Sequence, residues 1–230
     1  DASYVKKVPG VGNGMATVFV DASSQNRILI YKGANLHLKP GDIDEAAEEL
    51  KDCSLLVLQL EVPLETVYAA IDFGSRHQIP VLLNPAPARA DLDLEKVCQC
   101  EFFVPNETEL SILTGRPVET EAQIRAAAEF LVEKGLKNVI VTMGEKGALW
   151  VDAAHAEKIP SFKVKAVDTT GAGDAFIGSF AHAYVQTLDI PFAMRQGAAY
   201  AALSVSRRGT QTSYPGKTEV EEFLQTARQS

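Results

Sequence analysis

The sequence predicts an α/β protein: an open, mostly parallel, doubly wound sheet flanked by helices, with a β-hairpin ahead of it. Three observations predict this. From about residue 40, short apolar runs of strand length alternate with amphipathic stretches of helix length, the pattern of βαβ units. The apolar runs are continuous in Val, Ile and Leu rather than alternating, as suits strands covered by helices on both faces. Residues 1–35 have a different texture, with two β-rich runs around a polar cluster.

The elements follow in order. Residues 15–20 and 27–31 are the β-rich runs, and the polar residues 21–26 join them as a hairpin turn. Residues 42–50 carry acidic and apolar residues at helical spacing. Residues 54–60 are a near-continuous apolar strand, 64–77 an amphipathic helix, 80–83 a second strand and 102–104 a third. Helices over 107–113 and 121–134 come next, the latter closed by Gly135. Residues 138–142 read as a strand with 148–151 beside it. Residues 164–167 read as the strand before a Gly-rich turn, and 175–186 as the helix after it. The last helices fall near 191–206 and 218–228.

Composition narrows the function. The chain has 230 residues, 46% apolar and 23% charged, long enough to bury a core without disulfide or metal staples. Lys plus Arg is 22 against 30 Asp plus Glu, a formal charge of −8. With no basic stripe, nucleic acid is excluded as a partner. No run approaches the roughly 18 apolar residues of a membrane span, so no membrane is expected either. The start has neither an apolar h-region nor an initiator Met and does not read as a signal peptide. Three cysteines, Cys53, Cys98 and Cys100, are too few for a disulfide framework and imply a reducing, cytoplasmic setting. Cys98 and Cys100 have C-x-C spacing, which is not a zinc knuckle. The four histidines are scattered and no G-x-S-x-G elbow occurs, which removes metalloprotease and serine-hydrolase readings.

Ligands in open α/β sheets bind beyond the carboxyl ends of the strands. There the sequence places Glu61, Asn84-Pro85, Pro105-Asn106, Met143-Gly144 and the run from Asp168 to Asp174. That run, Asp168-Thr169-Thr170-Gly171-Ala172-Gly173-Asp174, is the most informative segment. Its small residues let a backbone approach an anion, and its N–H groups open a helix, where the dipole is positive. It is neither a Walker A loop nor G-x-G-x-x-G, since Phe176 stands where the third Gly would be. Asp174 has two readings. It complements the helix dipole, or it takes a proton from a hydroxyl attacking a phosphoryl group. Asn106 and Glu109 have the spacing of a capping box. Residues 142–147, Thr-Met-Gly-Glu-Lys-Gly, read as a tight turn between strands.

D-T-T-G-A-G-D-A-F is similar to the C-terminal signature of the ribokinase or PfkB family of sugar kinases. The resemblance implies that Asp174 is the catalytic base and that the backbone of Gly171, Ala172 and Gly173 forms the anion hole for a γ-phosphate. It makes Asn106 and Glu109 the N-x-x-E motif, which organises Mg²⁺ and phosphate through water. Thr142, Gly144, Glu145 and Gly147 then lie along ATP, and Ala198 lines the adenine pocket. Asp168, Thr170, Ser204, Arg207, Gly209 and Ser213 match positions that hold K⁺, largely by carbonyls. Glu61, closing Gln59-Leu60-Glu61, matches a sugar-contacting acid, and Asn84-Pro85-Ala86-Pro87 matches an N-P-A-P segment. Lys32-Gly33-Ala34-Asn35 resembles the hinge between a β lid, here residues 1–35, and the core, residues 36–230. Such a lid closes over the sugar and commonly pairs with a second subunit, which implies a homodimer.

The resemblance covers residues 5–224. Val57-Leu-Gln-Leu-Glu-Val62, Phe102-Phe-Val-Pro-Asn-Glu-Thr-Glu109 and Phe176-Ile-Gly-Ser-Phe-Ala-His182 are most like the deoxyribokinase branch, with ribokinase proper next. The implied reaction is transfer of the γ-phosphate of ATP to the 5-hydroxyl of a pentose. Two alternatives stand beside it: a kinase of this family for another sugar or a nucleoside, and a non-catalytic sugar- or nucleotide-binding regulator. A dinucleotide oxidoreductase lacks the early G-x-G-x-x-G. The family also carries an early strand with a sugar-contacting Asp and a G-G-K-G-A-N-type loop. Neither is found here, so the 230 residues read as the remainder of a longer kinase, expected to bind nucleotide weakly and turn over sugar poorly by themselves.

Overall fold

A computed structural model describes residues 2–20 and 26–227. Met15–Val20 (β1) and Asn26–Tyr31 (β2) pair antiparallel, with Met15 opposite Tyr31 and Val20 opposite Asn26. This is the expected hairpin, although its turn, residues 21–25, lies outside the described residues. A 3-10 turn, Gly33–His37, follows. Gly33 has φ +50, and a Cβ there would stand 2.4 Å from the Gly12 carbonyl, so only glycine lets the N-terminal segment cross so closely.

Residues 42–50, expected as one helix, form two: Pro40–Glu45 (α1) and Ala47–Leu50 (α2), parted at Ala46 with φ −93 and ψ 7. Pro40 moves the start forward, because a first-turn proline lacks only an N–H that the helix does not need. The strand expected over 54–60 shrinks to Leu56–Leu58 (β3). Its last rung is the Asn84 N–H on the Leu58 carbonyl, and the Leu60 N–H then turns away to Ala86. Leu64–His77 (α3) and Val81–Leu83 (β4) come where the pattern put them.

Leu94–Val97 (α4) had no apolar period to reveal it. Its start is set by the Asp93 carboxylate, which accepts the N–H groups of Glu95 and Lys96 at 3.0 and 3.3 Å. Phe102–Phe103 (β5), Glu107–Thr114 (α5), Glu121–Glu133 (α6), Asn138–Thr142 (β6) and Ala148–Val151 (β7) agree with the sequence reading. Ala156–Ile159 (β8) escaped it, because half of this edge strand is exposed and polar and no apolar run marks it.

The strand expected over 164–167 does not form. The Val167 and Asp168 N–H groups instead share the Val205 carbonyl at 2.7 and 3.2 Å, so this segment is tied to a helix end. The helix after it, Ala172–Thr187 (α7), begins three residues earlier than expected. Ile190–Val205 (α8) and Lys217–Ala227 (α9) complete the chain; residue 228 of the last expected helix lies outside the described residues.

Among the described residues the large sheet has the order β3-β4-β5-β6-β7-β8. It is parallel from β3 to β6, where helical connections join the strands. It is antiparallel from β6 to β8, where tight turns join them. Side chains alternate across a strand, so Leu83, Phe103 and Val141 face α3 and α6, while Leu82, Phe102 and Ile140 face α7 and α8. The helices α7 and α8 approach closely: a Cβ on Gly197 would stand 2.9 Å from the Phe176 carbonyl.

Phe180, fully buried, meets Phe102 edge-on at 5.2 Å and seats α7 on the sheet. Phe180→Ala is expected to lower stability by about 3–5 kcal/mol in urea unfolding.

Candidate active site

The helix α7 opens with Gly171 as its N-cap at φ 77 and ψ 6, a left-handed conformation that suits glycine. Ala172, Gly173 and Asp174 form the first turn. The Ala172 N–H donates to the Thr169 carbonyl at 3.2 Å. Those of Gly171 and Gly173 have no main-chain acceptor among the described residues. The space above Gly173 is open, with no atom within 4 Å of where a Cβ would be. Backbone donors facing such space at a positive helix end suit an anion.

What fixes this turn is Asp168. One carboxylate oxygen accepts the Thr170 N–H and the other the Gly209 N–H, each at 3.0 Å. Hydrogen bonds from Thr170, then from Gly209, hold the carboxyl down to about 2. The residues named for K⁺ fall in small bonded groups. Asp168, Thr170 and Gly209 touch directly. The Arg207 N–H donates to the Ser204 carbonyl at 3.2 Å, and the Ser213 hydroxyl donates to the Thr210 carbonyl at 2.7 Å. The Ser204 hydroxyl reaches the Ala201 carbonyl, and Arg207 pairs with Glu219.

Asp174 looks into a cleft of about 500 Å³, walled also by Asn35, Gln59, Glu61 and Thr66, with the apolar faces of Leu38 and Val67. Burial raises the pKa of the Asp174 carboxyl above its ordinary value of 3.8. A smaller recess, about 160 Å³, runs on beneath the hairpin and shares Asn35 and Glu61 with the cleft.

Asn106 and Glu109 make a reciprocal capping box at 2.8 Å in both directions. Glu109 is 9% exposed, and desolvation pushes its carboxyl up against the opposing Asn106 N–H. Among the described residues no group of three His, Cys, Asp or Glu could hold a metal directly. Beside it, Asn106 bridges Thr142, and Lys146 pairs with Glu107 at 2.9 Å. The turn over 143–147 closes by the Met143 N–H on the Gly147 carbonyl at 2.8 Å. Gly144 faces open space, whereas Gly147, at φ +96, would put a Cβ 2.1 Å from the Ile159 carbonyl. Glu145 is exposed, and its carbonyl accepts the Ser161 hydroxyl.

The residues expected for sugar, nucleotide and Mg²⁺ do not form one cluster. Asp174 and Glu61 share the cleft; Asn106, Glu109 and the 142–147 turn lie together at the ends of α5 and β6 and do not line it. Ala198, on α8, is buried in the core cluster it shares with α7 and the sheet, at 8% exposure. Sequence reading missed Gln59 as a cleft residue because it ran β3 on to residue 60; with the strand ending at Leu58, Gln59 is the first residue past its carboxyl end. It also missed Tyr214, whose hydroxyl reaches the Gly171 carbonyl.

A model of the pfkB family carbohydrate kinases matches residues 1–217. The chain belongs to that family. It is 60% identical over 224 residues to a deoxyribokinase of Salmonella typhi, covering 97% of this chain and 73% of that protein. It is 35% identical over 221 residues to a ribokinase of Staphylococcus aureus, covering 96% and 72%. Among solved structures, a ribokinase of Arabidopsis thaliana complexed with ribose and ATP superposes with a TM-score of 0.87 at 31% identity, over 94% of this chain and 70% of that one.

Folding acidifies Asp168, so its contribution is full above the unfolded value near 3.8 and is lost as pH falls through about 2. Asp168→Asn is therefore expected to lower Tm at neutral pH. The gap to the parent should close between about pH 4 and pH 2 in thermal melts.

Proposed function

We propose that this protein is an ATP-dependent pentose kinase, transferring the γ-phosphate to the 5-hydroxyl of 2-deoxyribose or ribose. The reading rests on Asp174, a partly desolvated carboxylate in the first turn of α7, sharing a cleft with Glu61 just past the Gly171-Ala172-Gly173 turn. The deoxyribokinase and ribokinases among its relatives support a pentose as acceptor.

In this mechanism Glu61 holds sugar hydroxyls while Asp174 takes the proton of the 5-hydroxyl. The oxygen attacks the γ-phosphorus, the bond to the bridging oxygen breaks, and ADP leaves with its electrons. The N–H groups of residues 171–173 face the charge that grows on the phosphoryl oxygens. Thr142, Gly144, Glu145 and Gly147 flank the nucleotide, for which the open space at Gly144 leaves room, and Ala198 lies beneath the adenine. Mg²⁺ bound with ATP supplies charge neutralisation, and Asn106 and Glu109 would hold it through water. K⁺, a hard cation, would sit on carbonyls of Asp168, Thr170, Ser204, Arg207, Gly209 and Ser213 and order the loop without reacting.

The reading includes residues 1–35 as a lid over a core of 36–230, and a homodimer formed through that hairpin, where Met15, Leu29 and Tyr31 are exposed. It also includes the cytoplasm as the place of action. All three cysteines are free, and burial pushes the Cys100 thiol up to about 12. Among the described residues no helix is long and apolar enough to cross a membrane.

Coupled ADP-release assays with ribose and 2-deoxyribose test the reading. Asp174→Ala is expected to lower kcat by on the order of 10²- to 10⁴-fold while ATP binding is nearly unchanged. Near-normal turnover by that variant would remove Asp174 as the base. A base works ionised, so kcat/KM should fall on the acid side through a pKa above 3.8, and the variant should lack that limb.

A further inference from the structure

Tyr214 has no part in the mechanism above, yet it reaches the centre of the site. It follows the 3-10 turn Gln211–Ser213 and is half-buried. Its hydroxyl donates to the Gly171 carbonyl at 3.5 Å. That carbonyl also accepts the Ala175 N–H at 2.9 Å, the first bond inside α7. The carbonyl of Gly171 and the N–H of Ala172 belong to one rigid peptide plane. Its oxygen edge is held by Tyr214 and its hydrogen edge by the Thr169 carbonyl at 3.2 Å.

A holder matters here because the residue is glycine. Glycine permits the left-handed turn at φ +77, but it also permits many other orientations of the next peptide. The ring that carries the hydroxyl is itself fixed against Tyr200 of α8, with centroids 5.9 Å apart.

We infer that Tyr214 is a positioning residue for phosphoryl transfer, its hydroxyl locking the 171–172 peptide and so the aim of the first-turn N–H groups and of Asp174. This rests on the kinase reading above. The locked peptide matters most when charge develops on the transferring group, so the effect belongs to kcat rather than to KM.

Steady-state kinetics of Tyr214→Phe in the full-length protein, with pentose and ATP varied in turn, test it. The variant should lose about two- to tenfold in kcat, the weight of one neutral hydrogen bond, with both KM values nearly unchanged. Its Tm should stay close to the parent's, because the ring still packs on Tyr200. Tyr214→Leu, which also lacks the ring, should lower Tm and lose at least as much kcat. Parental kcat in Tyr214→Phe overturns the inference, including the case where only Tyr214→Leu is impaired, since packing alone would then explain the residue. A raised KM at parental kcat overturns it too. If the parent protein itself transfers no phosphoryl group to either pentose, the kinase reading fails and this inference falls with it.

Discussion

The carboxylate of Asp168 is the constraint on which the rest of the site depends. It joins two stretches of chain that have no ladder between them, the loop ahead of α7 and the turn after α8, by accepting one N–H from each. Two backbone donors on one ionised acceptor are stronger than two neutral bonds, and they act inside a single short loop. Without them the turn from Thr170 to Gly173 would lose its direct tie to the Gly209 turn. The neighbouring segment lacks a strand that could do the same work, since Val167 and Asp168 bond the end of α8. Side-chain chemistry here replaces the sheet as the scaffold.

The sheet contributes in another way. Each strand from β4 to β6 offers apolar residues to both faces, so the helix bearing Asp174 and those walling the cleft from the far side share one slab of Leu, Phe, Val and Ile. The close approach at Gly197 and the Phe180–Phe102 contact leave α7 little room to slide. A carboxylate in the first turn of a helix so seated has a fixed position, and partial burial there favours its neutral form enough to make it a better proton acceptor than a solvated aspartate.

Much of this was legible in the amino-acid order. Continuous apolar runs located β4, β5 and β6, the capping spacing of Asn106 with Glu109 located α5, and Gly135 marked the end of α6. The segment 168–174 stood out through small residues followed by an acid, although from the residues alone Asp174 kept two readings. What stayed hidden depends on partners distant in sequence. The edge strand β8 has no apolar run because half of it faces solvent, and β3 ends early because Leu60 finds Ala86. Tyr214 and Gln59 have no local signal at all, since their significance comes from Gly171 and from the cleft. The bond between Asp168 and Gly209 is of the same kind: nothing near either residue announces it.

The order of the strands has a consequence for how the chain acquires its activity. The strands β3 to β8 lie side by side in the sequence in which a ribosome would deliver them, so each finds its neighbour already present. Gly209 and Tyr214, which fasten the loop ahead of α7, come only after the described strands and both helices on the second face of the sheet. A nascent chain would therefore be largely folded before that loop could be fastened. The late arrival of these two residues separates the building of the scaffold from the arming of the site.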